Sequence, residues 1–237
     1  TVLDQSTFDG WLGKLKQATL FAFDTETTSL NYMVAEVVGV SFAVEPGAAA
    51  YVPLAHDYPG APDQLSRDEV LEALKPLLED ERVAKVGQHL KYDANVLANH
   101  DIRLRGIHED TMLESYILDA AGSRHDLDTL ALKYLGQRTI HFEDIAGKGA
   151  KQLTFNQVPI EQAAPYAAED AEVTLRLHRL LSEKLDAEPQ LSELYRELEI
   201  PLVSILSRIE RNGALVCRDT LAAHSEELGE RILALES

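Results

Sequence analysis

The chain has 237 residues, of which 45% are hydrophobic, and its formal net charge is −18 at pH 7. A chain of this length can bury a core, and it predicts one large domain or one domain with an additional segment. The negative charge argues against a protein that binds nucleic acid over its whole surface, because neutralisation of phosphates dominates nonspecific affinity.

The sequence also indicates a cellular setting. It has no apolar run of about 18 residues, and its start lacks the basic and apolar pattern of a signal peptide. The single cysteine, Cys217, cannot form an internal disulfide, which favours a reducing compartment. We therefore expect a cytoplasmic protein without a membrane span. Because the sequence begins without methionine, we also expect a piece of a longer chain.

The first third of the sequence predicts a helix followed by a β-meander. Apolar residues at helical spacing predict the helix over residues 7–16, with Ser6 or Thr7 as its cap. Three apolar, β-branched runs then predict neighbouring antiparallel strands at residues 20–25, 34–45 and 49–54.

The middle of the sequence alternates between strands and helices. A capping box that begins at Ser66 predicts a helix, and residues 83–87 predict a fourth strand. A short fifth strand is expected near residues 102–104. Further helices are expected at residues 109–120, 127–135 and 160–184. This order predicts an α/β fold, a mixed five-stranded sheet flanked by helices.

The pattern changes after residue 186. A long helical stretch ends at Asn212-Gly213, a typical helix stop. Residues 214–217 suggest a brief strand, and Asp219 suggests the cap of a last helix. We expect a domain at residues 1–186 and a short helical segment at residues 187–237.

Acidic residues gather where the predicted strands end. Asp24 and Glu26 close the first strand, and side chains at i and i+2 share one face about 6–7 Å apart. Two such carboxylates suit Mg²⁺ or Mn²⁺, although such a pair taken alone is most often a solvated strand exit. Asp93 follows the fourth strand and faces the same edge of the sheet. Tyr166 and Asp170, four residues apart, share one face of a helix.

Three ordered motifs carry a family resemblance: residues 23–27 (FDTET), 88–93 (QHLKYD) and 166–170 (YAAED). They resemble the three motifs of the proofreading 3′–5′ exonuclease domain of bacterial DNA polymerase I. The intervening segments 113–118, 123–128 and 145–157 are similar to the same family. Residues 199–213 resemble the beginning of its polymerase domain. The resemblance implies a ribonuclease H-like fold, with residues 187–237 as the truncated helical start of the polymerase thumb.

The resemblance also implies a reaction. Two divalent ions, Mg²⁺ with Mn²⁺ as a substitute, would support hydrolysis of single-stranded or frayed DNA 3′ ends to 5′-mononucleotides, as in proofreading during replication and repair. Asp24, Glu26 and Asp170 would hold the first ion, whose bound water attacks. Asp24 would bridge to the second ion, which Asp93 would hold largely through water. Tyr166 would orient the attacking water, since a phenol is a poor general base at pH 7.

Seven further residues are expected near the DNA strand by the same resemblance. Apolar contact with bases is tolerant of sequence, and Leu30 and Phe142 match positions that pack against the terminal bases, although both also fit a core. His89 stands where the family usually has Asn, which puts any hydrogen bond of that Asn to DNA in doubt. The other four expected contacts are Thr27, Gln88, Tyr92 and Arg124.

Three other functions remain open from the sequence. An RNA-processing 3′–5′ exonuclease of the same superfamily would share the motifs, but residues 199–213 argue against it. A catalytically inactive structural domain would have lost a carboxylate, and none is missing. A DNA clamp without chemistry is disfavoured by the net charge. We expect as partners a single-stranded DNA 3′ end and the polymerase domain of the same full-length chain, in a monomeric protein associated with the bacterial nucleoid.

Overall fold

A computed structural model describes residues 1–122 and 124–236. Ser123, in the family-like segment 123–128, and Ser237, in the expected second domain, lie outside the described residues. The strands are β1 (Leu20–Thr27), β2 (Val37–Glu45), β3 (Ala48–Pro53), β4 (Ala84–Gly87) and β5 (Ile107–Asp110). The α-helices are α1 (Gln5–Gln17), α2 (Arg67–Leu78), α3 (Leu90–Leu97), α4 (Thr111–Leu118), α5 (Leu127–Leu130), α6 (Phe142–Ala146), α7 (Ile160–Asp186), α8 (Pro189–Leu194), α9 (Ile200–Asn212) and α10 (Arg218–Glu236). Turns of π-helix follow α5 (Ala131–Leu135) and α8 (Tyr195–Glu199), and turns of 3-10 helix lie at Ala98–His100, Gly149–Lys151 and Phe155–Gln157.

The five strands form one mixed sheet in the order β3-β2-β1-β4-β5. β1 and β3 each pair with β2 in antiparallel orientation, whereas β4 pairs with β1 and with β5 in parallel orientation. The mixed five-stranded sheet predicted from the sequence is therefore confirmed. Because β1, β4 and β5 run in the same direction, their carboxyl ends meet at one edge of the sheet.

The alternation of side chains along β1 assigns each residue to one face of the sheet. Phe21 and Phe23 enter the largest core, which α1, α2 and α3 complete. Ala22 lies on the opposite face, in a smaller core with residues of α7. Asp24 and Glu26 share the parity of Ala22 and therefore face α7 as well.

Helix α7 lies across the sheet on a face of small side chains. Ala163, Ala167 and Ala171 are fully buried between this helix and the strands. Small residues allow the helix backbone to approach the sheet closely. The same helix carries Tyr166 and Asp170, so the close approach brings both residues toward the end of β1.

Two boundaries differ from the predictions in the first half of the chain. The predicted position of the fifth strand, near residues 102–104, is wrong. β5 begins five residues later, where its residues pair with residues 85–87 of β4. The predicted cap of α1 is also wrong. Asp4, not Ser6 or Thr7, accepts a hydrogen bond from the backbone N–H of Thr7 at 2.9 Å.

The end of the chain differs as well. Residues 214–217 form no strand, since no strand of the described residues pairs with them. Asp219 is not a cap, because it lies inside the first turn of α10. That helix has no buried residue.

The segment after α7 packs against the first part of the chain. The fully buried Tyr195 accepts a hydrogen bond from the backbone N–H of Asp110 at 2.9 Å. On α9, Ser207 donates to Asn95 of α3 at 2.6 Å, and Glu210 pairs with Lys91 at 2.6 Å. Helix α3, which carries Asp93, is thus bonded to α9 through two of its side chains. The boundary expected near residues 186–189 stays a prediction.

Candidate active site

Three carboxylates converge at the carboxyl end of β1. Oxygen atoms of Asp24, Glu26 and Asp170 lie within 4.8 Å of one another. Glu26 is only 9% exposed, and the other two are partly buried. Within residues 1–122 and 124–236, none of the three forms an ion pair with a lysine, arginine or histidine. The two acids expected from β1 and the acid expected from α7 therefore meet at one point.

The electrostatics of this group favour a bound cation. Burial raises the pKa of Asp24 to about 6. Burial, followed by the negative charges of Asp24, Asp170 and Asp93, raises the pKa of Glu26 well above its usual value. Glu26 Oε1 is buried without a hydrogen-bond partner among the described residues. Crowded carboxylate oxygens of this kind are the donor set that hard divalent cations prefer, so these residues fit Mg²⁺ or Mn²⁺.

Asp93 lies beside this group rather than within it. It is 2% exposed, and its Oδ1 accepts hydrogen bonds from the backbone N–H of Thr25 at 3.0 Å and from the Thr25 hydroxyl at 2.5 Å. Burial and the charge of Asp24 raise the pKa of Asp93. Thr25, which the motif encloses between its two acids, was not predicted as a site residue. The alternation of side chains along β1 was the available signal, because it places the Thr25 side chain on the face of the sheet where α3 begins.

A tight turn between β4 and α3 sets the position of Asp93. A Cβ atom on Gly87 would lie 2.4 Å from the Leu90 side chain, so no larger residue fits there without rearrangement. His89 follows with φ 66°, a conformation in which Asn, Asp and His are the enriched non-glycine residues. The backbone N–H groups of His89 and Leu90 donate to Asp110 at 3.1 and 2.8 Å. Histidine at the family's usual Asn position is thus compatible with the turn.

Tyr166 contacts the acidic group from α7. Its hydroxyl lies close to the Asp170 carboxylate, and burial together with the charges of Asp170 and Glu26 raises the pKa of the phenol well above its usual value. Its ring packs 6.0 Å from Phe155 and 6.3 Å from Phe142, measured between ring centroids. A phenol in this setting stays protonated at neutral pH, so it can position a water molecule but cannot accept its proton as a base.

The residues expected near a DNA strand have varied environments. Leu30 is 93% exposed and is therefore not a core residue, whereas Phe142 is half-buried and stacks on Phe155 with centroids 6.2 Å apart. Thr27 and Tyr92 share a hydrogen bond of 2.5 Å between their hydroxyl groups. This bond places the Tyr92 hydroxyl at the end of β1, next to the acids.

Three other expected contacts are engaged elsewhere or face solvent. The Gln88 amide donates to the His125 carbonyl at 2.7 Å and accepts from the Thr111 hydroxyl at 2.5 Å, so both polar atoms of the amide form hydrogen bonds within the protein. The His89 side chain is exposed. The exposed Arg124 lies 3.1 Å from Asp126.

The comparisons with known proteins agree with this arrangement. The family described as 3′-5′ exonuclease matches residues 1–186. The chain belongs to this exonuclease family. DNA polymerase I of Pseudomonas aeruginosa is 65% identical over 237 residues, which cover 99% of this chain and 26% of that protein. The exonuclease resemblance seen in the three motifs is therefore confirmed, and the chain spans about a quarter of the length of this curated relative.

Solved structures support the fold of this exonuclease family member. The POL domain of Pol1 from M. smegmatis, in complex with DNA primer-template and dNTP, matches with a TM-score of 0.78 and 20% identity over 98% of this chain and 35% of that one. Brucella melitensis NrnC matches with a TM-score of 0.62 and 20% identity over 83% of this chain and 87% of that one. The ribonuclease H-like fold is confirmed. No helix in the described part of the chain is long and apolar enough to cross a membrane.

Proposed function

We propose that this exonuclease hydrolyses the terminal phosphodiester bond of single-stranded or frayed DNA 3′ ends and releases 5′-mononucleotides. The observation that carries the proposal is the convergence of Asp24, Glu26 and Asp170 within 4.8 Å, with the buried Asp93 fixed beside them by Thr25. Family membership supports the direction of degradation. The relatives named DNA polymerase I support a proofreading role in replication and repair.

The four carboxylates would hold two divalent ions. We assign Asp24, Glu26 and Asp170 to one Mg²⁺ ion, and Asp24 together with Asp93 to a second, with Mn²⁺ as a substitute. When bound, such ions lower the pKa of water and stabilise the charge on a leaving oxygen. The Thr25 hydrogen bonds hold one oxygen of Asp93, so this carboxylate acts from a fixed position.

The remaining side chains would position the substrate and the water. The protonated Tyr166 phenol would orient the attacking water beside Asp170. The exposed Leu30 and the half-buried ring of Phe142 would pack against the terminal bases. Apolar contact of this kind accepts every base, which suits an editor of mismatches.

Five polar residues would contact the strand or shape its path. The Tyr92–Thr27 hydroxyl pair lies next to the acidic group, so it would contact the terminal nucleotide. The exposed Arg124 and His89 would contact the strand further away. Gln88 would act through its backbone or by shaping the turn, because its amide bonds to Thr111 and to the His125 carbonyl.

The exonuclease would work as part of a longer chain. The relatives are about four times as long, and α10 leaves apolar side chains such as Leu233 and Leu235 exposed. We assign residues 187–237 to the start of a polymerase domain in the same chain. The full protein would be a cytoplasmic, nucleoid-associated monomer.

The test is digestion of a single-stranded DNA oligomer labelled at its 5′ end, with Mg²⁺, Mn²⁺ or EDTA, beside an RNA oligomer of the same sequence. We expect metal-dependent, stepwise shortening from the 3′ end of the DNA. Faster degradation of the RNA would favour the RNA-processing alternative. Absence of cleavage with either ion, in protein shown to be folded by circular dichroism, would contradict the proposal.

A further inference from the structure

A second cluster of ligand-type side chains lies away from the proposed catalytic centre. Glu109 is the next-to-last residue of β5, Glu114 lies on α4 and His178 lies on α7. One ligand atom from each lies within 4.8 Å of the other two. The proposed hydrolysis uses none of these residues.

The most buried member of this cluster has an oxygen atom that the protein does not satisfy. The Glu114 side chain is 0% exposed, and its Oε1 lies 2.7 Å from Nδ1 of His178. Its Oε2 is buried without a hydrogen-bond partner among the residues that the structure describes. Leaving a buried carboxylate oxygen without a partner is costly, and such atoms in native proteins call for an explanation.

The donor atoms of this cluster suit a transition metal better than Mg²⁺. One imidazole nitrogen and two carboxylate oxygens form a mixed donor set of the kind that binds Zn²⁺, whereas Mg²⁺ prefers oxygen ligands alone. Two ligands of a tetrahedral Zn²⁺ lie about 3.3 Å apart when each is about 2.0–2.1 Å from the metal. His178 and Glu114 would therefore need to separate by roughly half an ångström.

We propose that Glu109, Glu114 and His178 bind one Zn²⁺-type ion. The ion ties β5 to α4 and α7, and its fourth position holds water. The site lies at the junction with the C-terminal segment, because the residue after Glu109 donates its backbone N–H to Tyr195. The bound ion takes the place of the hydrogen bond between Glu114 and His178 and contacts both oxygens of the Glu114 carboxylate, so that Oε2 gains a partner. It also stabilises the surface on which residues 195–199 pack.

The experiment uses the whole chain with its proposed catalytic ligands removed. In the Asp24→Ala/Asp170→Ala variant, equilibrium dialysis against Zn²⁺ in excess Mg²⁺ is expected to find about one ion per chain. Adding His178→Gln is expected to weaken this binding by at least about tenfold, a loss of 1.4 kcal/mol or more. The matched control is His108→Gln, which changes an exposed neighbouring histidine and is expected to leave the binding unchanged.

Two further measurements separate a metal site from a packing defect. Glu109→Gln alters the half-buried ligand and decides the question if His178→Gln does not fold. Its Co²⁺ complex is expected to lose the visible absorption bands that the parent shows. In the chain with native catalytic residues, Glu109→Gln is expected to cleave DNA with Mg²⁺ at the parental rate. No Zn²⁺ bound to the double variant, or equal affinity in the His178 and His108 variants, would overturn the proposal.

Discussion

Buried and half-buried acids cluster at the ends of both β1 and β5, but the two clusters differ in composition. At β1, Asp24 and Glu26 meet Asp170, and oxygen atoms alone face one another. At β5, Glu109 and the nearby Glu114 meet His178. Helix α7 supplies the third member of both groups, about two helical turns apart.

The two groups differ in whether a protein side chain compensates the negative charge of the carboxylates. In the group at β1, burial raises the pKa of Asp24, and burial together with the charges of neighbouring carboxylates raises the pKa values of Glu26 and Asp170. Among the described residues, no basic side chain forms an ion pair with any of the three. In the group at β5, an imidazole shares a hydrogen bond with Glu114. The first arrangement has the donor set of a divalent-cation site, whereas in the second the protein itself supplies one hydrogen bond to the carboxylate.

The largest effect is expected from Asp24→Ala. This change removes the carboxylate assigned to both ions, so cleavage of a single-stranded oligomer should fall by about 10³-fold or more. Initial rates with Mg²⁺ measure it. The matched control is Asp63→Ala, which removes an exposed aspartate and should leave the rate unchanged. An unchanged rate in the Asp24 variant would contradict the two-ion assignment.

The group at β5 should respond in stability rather than in rate. Glu114→Ala removes a fully buried side chain and the hydrogen bond of His178, and should lower the free energy of unfolding by about 2–4 kcal/mol. Urea denaturation with EDTA present measures the loss. The control is Glu72→Ala, an exposed glutamate on α2, for which a change within about 0.5 kcal/mol is expected. Equal effects of the two variants would show that the Glu114 hydrogen bond contributes little.

The sequence predicted the group at β1 because its members lie in short motifs with fixed spacing. Period-two alternation placed Asp24 and Glu26 on one face, and the helical repeat placed Tyr166 beside Asp170. The group at β5 has no such signal, since Glu109, Glu114 and His178 belong to three elements that only the fold brings together. The position of β5 was missed for the same reason: a four-residue strand is defined by its pairing with β4 rather than by its own apolar pattern.

Tyr166→Phe should have an intermediate effect. The ring keeps its contacts with Phe142 and Phe155, whereas the hydroxyl next to Asp170 is removed. Loss of one positioning group should slow cleavage by about 10- to 100-fold, or about 1.4–2.7 kcal/mol in the barrier. Single-turnover rates at saturating DNA measure it. Isothermal titration with Mn²⁺ should show nearly unchanged affinity, and a large loss there would assign Tyr166 to holding the metal.

The smallest effect is a gain of stability, and it tests the claim that the group at β1 is repulsive without metal. In EDTA at pH 8, Asp24→Asn should raise the free energy of unfolding by about 1–2 kcal/mol, because it removes one partly buried charge without changing the side-chain volume.

The sign follows from the pKa of Asp24, which is raised from 3.8 to about 6 in the folded state. Between these two pH values the folded protein binds more protons than the unfolded chain, so parental stability falls as pH rises. The advantage of Asn should therefore shrink as pH is lowered from 6 toward 4, and saturating Mg²⁺ at pH 8 should reverse it. Urea denaturation of both proteins across this range measures the difference, and a parent more stable than the variant in EDTA at pH 8 would contradict the repulsion.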